Sequence, residues 1–280
     1  MKEFFYTVSR NRRALLGMII LGFFLLLALI GPLVVPLDTT IDYSKSFQWP
    51  SLQHPLGTDY AGRDTFSQFV HGAKGVIVVS VLAAFFTILI AFLFGTLAGL
   101  LGGKVDTIIT FLIDVMLTVP SFPVMMVLSL VIKITNPISF GLVLSIWSWA
   151  GLARAIRSQI LSLKKRDFIE ASRVLGLSIP HLIFSELLPN LVSYIMINFI
   201  MTIREAITAS VGLIILGLAP FTSTHWGVML QMALSTTGAM YGSSAVVYLL
   251  VPIIAIALFQ MGCLFFASGL DEALNPRLRR

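Results

Sequence analysis

Long apolar runs dominate this chain and decide what it can fold into. The first of them extends from about Leu15 to Val35, and a helix needs about 20 apolar residues to cross the hydrocarbon of a bilayer. The chain has 280 residues, of which 57% are hydrophobic and only 11% are charged, whereas a soluble domain carries about 25% charged residues. The sequence therefore predicts an integral membrane protein, whose length is best counted in helical spans.

Six segments are long and apolar enough, or nearly so, to span the membrane. The fourth is short by hydropathy, but its helix can continue through the polar stretch towards Ile160. The first run is too long for the apolar core of a signal peptide, which favours an uncleaved first helix. We predict an all-α membrane protein with six transmembrane helices, at about Leu15–Val35, Val76–Leu101, Ile108–Ile132, Ile138–Leu152, Val192–Leu218 and Val246–Phe266.

Lysine and arginine are distributed unequally between the two sides that these spans define. With the amino terminus inside, the outer segments hold only Lys45, Arg63, Lys74 and Lys133 of the 19 basic residues. An excess of Lys and Arg marks the cytoplasmic side, so both termini are expected in the cytoplasm. The predicted division is a cytoplasmic amino terminus 1–14, a first span 15–36, an extracytoplasmic segment 37–75, a transmembrane domain 76–272 and a cytoplasmic tail 273–280.

Several classes of partner and cofactor find no support in the sequence. The net charge of +6 comes from basic residues at span ends, where they set topology, so we predict no nucleic-acid partner. One cysteine and four scattered histidines do not form a metal site. The stretch Gly99–Val105, "GLLGGKV", lacks Ser or Thr after Lys104 and fails as a phosphate-binding loop. It is better interpreted as a glycine turn, and no cofactor is expected on this chain.

Charged residues inside predicted spans are costly and usually functional. Asp114 lies early in the third span, and Arg204 and Glu205 lie near the middle of the fifth. Each either lines a polar passage or a seam with a second subunit, or forms a structural pair with a neighbouring helix. Pro120 and Pro123 are expected to kink the third span.

The polar segment "DFIEASRVLGLSIPHLIFSELLP", from Asp167 to Pro189, interrupts the apolar runs on the predicted cytoplasmic side. Phe168, Ala171 and Leu175 follow the spacing of one apolar helix face. Gly176 suits a helix end, and Pro180 suits the first turn of a second short helix. By composition the segment either lies on lipid or docks into a groove of another protein.

The spacing within this segment resembles the EAA motif of permease subunits of ATP-binding-cassette importers. The match is carried by Glu170, Ala171, Ser172, Gly176, Leu188 and Pro189, while Glu186 stands where that family usually has an apolar residue. The resemblance implies a type I importer permease fold with coupling helices at about residues 165–188, which sit in a cleft of the ATP-hydrolysing subunit. Asp167 and the matched residues are then the expected contacts with that ATPase.

Three further stretches resemble the C-type permeases of the oligopeptide and dipeptide group. The stretches Leu216–Gly227 and Gly269–Arg279 are similar to two sequences near the end of those permeases. The outer stretch "HPLGTDYAGRD" resembles their HPLGTDxxGRD signature, through His54, Pro55, Gly57, Asp59, Gly62, Arg63 and Asp64. The resemblance therefore covers nearly the whole chain.

This resemblance implies an importer of a prokaryotic cell membrane with several subunits. The expected partners are a B-type permease, two ATPase subunits that bind ATP and Mg, an extracytoplasmic solute-binding protein and membrane lipid; this chain itself is not expected to be an enzyme. Ser210 stands where the family often has glutamate, and we group it with the tentative passage residues. Short peptides are the expected substrate, with oligosaccharides and, less favoured, nickel as alternatives.

Two competitors come from other classes of protein. An intramembrane enzyme would need a nucleophile with a base, or an acid pair, at membrane depth, and no such arrangement is visible. An ion channel would need no coupling helix of this pattern, and no stretch resembles a selectivity filter. The ion channel is kept as the remote alternative.

Overall fold

The computed structural model describes residues 11–236 and 245–274, and within these ranges the regular structure is helical apart from one isolated bridge between Thr58 and Asp64. A single 3₁₀ turn covers Tyr43–Lys45, and a π-helical turn covers Leu182–Leu187. The α-helices are α1 Arg12–Val34, α2 Thr65–Leu101, α3 Gly103–Thr118, α4 Ser121–Val131, α5 Pro137–Leu163, α6 Asp167–Val174, α7 Ile179–His181, α8 Leu188–Ile215, α9 Trp226–Thr236 and α10 Ala245–Leu274.

Five helical stretches in the described part of the chain are long and apolar enough to cross a membrane, and a sixth span forms if α3 and α4 are counted together. Those two helices meet at an angle of 93°. The break falls at Val119 and Pro120, where proline has no N–H for a helical hydrogen bond. The predicted fold of six spans is confirmed, and the kink predicted at Pro120 is a break in the helix.

The helices run alternately between two ends of the bundle. At one end, which we call the Lys164 end, Lys164 Nζ donates to the carbonyl of Leu100 over 2.9 Å and Asn11 lies against Glu272. The other end includes Asp64, which caps α2, and we call it the Asp64 end. There His71 Nε2 of α2 lies 2.8 Å from the carbonyl of Val35, at the end of α1. The segment between α5 and α8 therefore lies at the same end as the start of α1 and the end of α10.

Helix α2 occupies the centre of the bundle and packs most closely on α5. A Cβ atom built on Gly95 would lie 2.6 Å from the carbonyl oxygen of Ala153, and one on Gly99 would lie 2.7 Å from the side chain of Ile160. Small residues of this kind let two helices approach closely in a membrane, where association depends on packing rather than on the hydrophobic effect.

The seam between α1 and α10 is built in the same way. A Cβ on Gly17 would lie 2.8 Å from the carbonyl oxygen of Gly262, and one on Gly269 would lie 2.6 Å from the Cα of Ala14. The opposite side of α1 is exposed along its length, for example at Phe23 and Leu29. Helix α1 thus packs through small residues on one side and presents large apolar residues on the side away from the bundle.

The Asp64 end differs in two ways from what hydropathy alone indicates. Helix α2 begins at Thr65, before the predicted span at Val76, because Asp64 caps the helix before the apolar run starts; the extracytoplasmic placement of residues 37–75 stays a prediction. The mildly apolar stretch after Ala219 would suit an amphipathic helix on the membrane surface, but α9 is packed into the bundle, with Trp226, Met229 and Ala233 buried. Residues 237–244 of that stretch lie outside the described part, as do residues 1–10 and 275–280.

Substitution of Gly17 by valine tests the close seam. The added side chain would have to fit against the α10 backbone, so we expect a loss of about 1–3 kcal/mol, seen as a lower midpoint of thermal unfolding in detergent. Gly22→Val is the matched control in the same helix, because a Cβ there meets nothing within 4 Å. Equal midpoints for the two variants would contradict the seam.

Candidate functional site

A cavity with charged, polar and apolar residues in its wall lies between the helices of the bundle. Its volume is about 620 Å³. Helices α2, α4, α5, α8 and α10 all contribute to its wall, through residues that include Thr87, Ser121, Phe122, Met125, Ser148, Thr202, Arg204, Glu205, Thr208 and Gln260. An aqueous cavity is the usual environment in which a span tolerates charged side chains.

Arg204 and Glu205 bring opposite charges to the wall of this cavity. Arg204 is half-buried and Glu205 is exposed, and within the described ranges neither forms an ion pair. Successive residues on a helix point about 100° apart, so their charges diverge instead of neutralising each other. These two of the four predicted passage residues therefore do line the cavity.

The other two tentative passage residues do not line the cavity. Asp114 forms an ion pair with Arg154 of α5, and both side chains are about half exposed. Ser210 is fully buried, and its hydroxyl donates to the carbonyl of Ile207 over 2.9 Å. The geometry of Asp114 corresponds to the structural alternative of a pair with a neighbouring helix.

A second ion pair joins the same two helices closer to the Lys164 end. Both Nε and Nη2 of Arg157 donate to the carboxylate of Asp106, an arrangement that fixes geometry as well as charge. The turn before Asp106 uses Gly102 and Gly103, with φ of 70° and 54°, as expected for a glycine turn. The sequence offered no means of pairing these residues, because they are far apart along the chain.

The segment after α5 forms one short helix, α6. After a turn, a second helical stretch begins at α7 and runs without a break into α8, the fifth predicted span. Helix α6 ends at Val174, and Gly176 follows with a φ of 69°, so the predicted glycine helix end is confirmed. Pro180 lies in the first turn of α7, as predicted. The prediction of a separate second short helix is wrong, because α7 continues through the π turn Leu182–Leu187 into α8.

Helix α6 buries Ile169 and turns its predicted apolar face away from the bundle. Ile169 and Ser172 are buried, and Ile169 packs in one cluster with Leu182 and Leu187 of the π turn. Leu175 of the predicted apolar face is 76% exposed, and Val174 on the neighbouring flank is 88% exposed. The described chain therefore covers one side of α6 and leaves the apolar side without a partner.

The remaining residues of the EAA-like pattern surround this helix. Glu170 is exposed and lies beside Lys164 and Lys165 at a surface depression. Asp167 lies at a neighbouring depression with Arg166 and Asn190. Ala171 and Pro189 are exposed and Leu188 is half-buried. The structure thus brings the predicted contacts together at the Lys164 end, on a surface that carries both charge and apolar area.

The outer signature at the Asp64 end is organised around Asp59, which is fully buried. Its carboxylate accepts from the backbone N–H of Ala61 over 2.8 Å and from the N–H and Nε of Arg63 over 2.9 and 2.8 Å. Gln68 of α2 donates to the same carboxylate over 3.0 Å, and Arg63 reaches the hydroxyl of Ser223 over 3.3 Å. One buried ion pair therefore ties the outer segment to α2 and to the loop before α9.

The other members of the signature shape the turn and cap the helix. Asp64 accepts from the backbone N–H of Ser67 over 2.7 Å, and its second oxygen lies 3.1 Å from Nδ1 of His54. Gly57 and Gly62 have φ of 71° and 78°, and a Cβ at either would collide with a backbone carbonyl. Pro55 is exposed within the turn.

His225 and Trp226 lie inside the protein, although an aromatic pair in a segment between two spans would suit an anchor at the membrane interface. Trp226 stacks on Phe69 with ring centroids 5.5 Å apart and donates to the carbonyl of Phe69 over 2.9 Å. His225 Nδ1 accepts from the N–H of Gly227 over 3.2 Å. Burial lowers the pKa of His225 to about 4, so its ring is neutral at pH 7.

Sequence reasoning missed several residues of the cavity wall. Thr87, Ser148 and Gln260 each lie in a predicted span and face the polar space. Gln260 carried the clearest signal, because an amide within a long apolar run needs a polar partner or an aqueous environment; it donates to Thr208 Oγ1 over 3.1 Å. Among the described residues, no group of three or more His, Cys, Asp or Glu side chains is placed to hold a metal ion.

A multi-span helical bundle with a polar cavity and an exposed helical segment at one end is the architecture of a membrane transport protein. Residues 91–280 match the family described as binding-protein-dependent transport system inner membrane component. Residues 1–55 match the N-terminal TM domain of oligopeptide transport permease C. The chain belongs to this family of inner membrane transport components.

Named relatives cover almost the whole chain. The dipeptide transport system permease protein DppC of Bacillus subtilis is 33% identical over 98% of this chain and 84% of its own length. The oligopeptide transport system permease protein OppC of the same organism is 31% identical over 96% and 87%. DppC of Haemophilus influenzae is 30% identical over 100% and 96%. The resemblance found in the motifs therefore extends over the full length.

Removal of the buried charge of Asp59 tests the outer ion pair. Asp59→Asn leaves the Arg63 guanidinium buried without its counterion, so we expect a loss of about 3–5 kcal/mol, measured as thermal stability in detergent. Asp38→Asn is the control, since that exposed carboxylate lies in the same segment and accepts from the backbone N–H of Thr40. Equal losses of thermal stability in the two variants would show that the Asp59–Arg63 ion pair contributes little to stability.

His225 predicts a dependence of stability on pH. Its pKa in the folded protein, about 4, is below the ordinary value of 6.5, so the unfolded chain binds the proton first. The contribution is fully present above pH 6.5 and is lost as the pH falls towards 4. His225→Asn, which keeps an acceptor for Gly227, should flatten this part of a stability–pH curve, and the exposed His181→Asn should not. An unchanged slope in His225→Asn would contradict the assignment.

Proposed function

We propose that this chain is one of two permease subunits of an ATP-driven, binding-protein-dependent importer of short peptides. Family membership and full-length similarity to dipeptide and oligopeptide permeases support this assignment. The single observation that carries it is the pairing of an exposed apolar helix at the Lys164 end with a polar cavity inside the bundle. The named relatives favour peptides over oligosaccharides or nickel.

The Lys164 end is proposed to face the cytoplasm of a prokaryotic cell. The excess of Lys and Arg at this end supports that orientation, and both termini then lie in the cytoplasm. The Asp64 end faces outward, towards an extracytoplasmic binding protein. Membrane lipid surrounds the exposed apolar side of α1.

Helix α6 is proposed as the element that receives work from an ATPase. Val174 and Leu175 offer apolar area, and Glu170 and Asp167 offer charge at its border. ATP and Mg would be bound by two partner ATPase subunits, because the sequence of this chain carries no phosphate-binding loop. Ile169 and Ser172 would transmit movement of α6 to the π turn and α8, against which the helix is packed.

The cavity is proposed as half of the passage, with a B-type permease supplying the other half. Arg204 and Glu205 lie on its wall, whereas Asp114 and Ser210 support the helices around it. The remote alternative of an ion channel gives no role to an unpartnered apolar helix at one end. Alternating access of two such halves would follow from rocking of the spans when the ATPases close.

Substitutions on α6 and in the turn that follows it test this proposal. Leu175→Asp should abolish copurification of the ATPase subunits and ATP-driven uptake of a dipeptide, while thermal stability of the chain stays near wild type because the side chain is exposed. Glu170→Arg and Gly176→Val should reduce both readouts, the latter because valine disfavours positive φ. Ser178→Asp, an exposed polar position on the same segment, is the control.

Retention of ATPases and of uptake in Leu175→Asp, Glu170→Arg and Gly176→Val would overturn the role of α6. If the wild-type chain, purified in mild detergent, brings no ATPase and no second permease with it, the importer assignment itself fails.

A further inference from the structure

We propose that Arg204 and Glu205 act as a matched pair that recognises the two charged ends of a zwitterionic peptide during passage. This inference rests on the proposed function and adds to it the residues that discriminate among substrates. Arg204 would bind the terminal carboxylate and Glu205 the terminal ammonium group.

The first argument is the cost of two charges in the middle of a span. Both residues lie in the central part of α8 and both line the cavity. The described chain supplies no ion-pair partner for either, although it supplies one for Asp106 and one for Asp114. Charges that a protein keeps unpaired at membrane depth usually act on a substrate or ion.

The second argument is what remains available on the cavity wall. The hydroxyls of Ser148, Thr202 and Thr208 already donate to carbonyls of their own helices, over 2.7, 2.7 and 3.2 Å. The amide of Gln260 already donates to Thr208. Thr87 and Ser121 add only neutral hydroxyls to the wall. The charge-assisted donors for a carboxylate therefore come from the Arg204 guanidinium, and the charged acceptor for an ammonium group is the Glu205 carboxylate.

The third argument is the match between the pair and the ligand. At pH 7 a peptide carries an ionised carboxyl group and a protonated amino group, because their ordinary pKa values are about 3.5 and about 8. A wall with one positive and one negative group, diverging around the helix, suits a ligand with both charges. A neutral sugar would leave both side chains unpaired, and a metal cation would leave Arg204 without a counterion.

The test uses the complete importer in proteoliposomes. The binding protein is saturated beforehand by each ligand, so that differences in its affinity for the ligands do not affect the comparison of uptake rates. The ligands are one dipeptide with free ends, its carboxyl-amidated form and its amino-acetylated form, each first shown by calorimetry to saturate the binding protein. The readout is the initial rate of ATP-driven uptake. We expect wild type to move the free dipeptide about tenfold faster than either blocked form, a ratio equivalent to about 1.4 kcal/mol.

Each variant should lose one preference and keep the other. Arg204→Gln should bring the rates for the free and amidated dipeptides close together while keeping the preference over the acetylated form, and Glu205→Gln should do the reverse. Arg204→Lys should restore part of the lost preference. Lys133→Gln, an exposed charge off the cavity wall, should change neither ratio.

Two results would overturn the pairing: a wild type that moves all three ligands equally, and variants in which both ratios stay unchanged, whether or not all three rates fall. These results leave the importer itself intact. Failure of the wild type to move any peptide would instead overturn the proposed function, and the inference with it.

Discussion

Hydrocarbon offers no hydrogen bonds to the protein, and most of this architecture follows from that constraint. Backbone groups must be paired within each span, so the spans are helices. Ionised side chains must find a counterion or water. Asp106 and Asp114 find arginines on α5, whereas Arg204 and Glu205 find a polar cavity. The same constraint thus separates the charges that hold helices together from the charges that remain available to a substrate.

The two ends of the bundle are built differently. At the Asp64 end, a buried carboxylate holds the outer segment, α2 and the loop before α9 in one network. At the Lys164 end, α6 is fastened by Ile169 and Ser172 on one side only. A firmly connected Asp64 end and an exposed helix at the Lys164 end suit the proposed importer, in which work enters at one end and is used at the cavity.

Packing through small residues connects these parts. Gly95 and Gly99 let α2 approach α5, and Gly17 and Gly269 let α1 approach α10. Such contacts depend on shape, since apolar residues gain little by leaving lipid for the protein interior. Movement of α6 would therefore reach the cavity through closely packed helices, by way of the π turn and α8.

The sequence alone determined the class of protein, the spans and the position of the segment that resembles a coupling helix. Hydropathy and the positions of glycine and proline are local properties of the sequence. They located the helix end at Gly176, the helix start at Pro180 and the break at Pro120. Only the tertiary structure decided that α9 is packed inside, that Phe168 and Leu175 face outward, and which charges are paired. Hydropathy reports how apolar each residue is, but it does not report which side of a helix is covered by a neighbour. In a membrane both sides of a helix can be apolar, because one side can face protein and the other lipid.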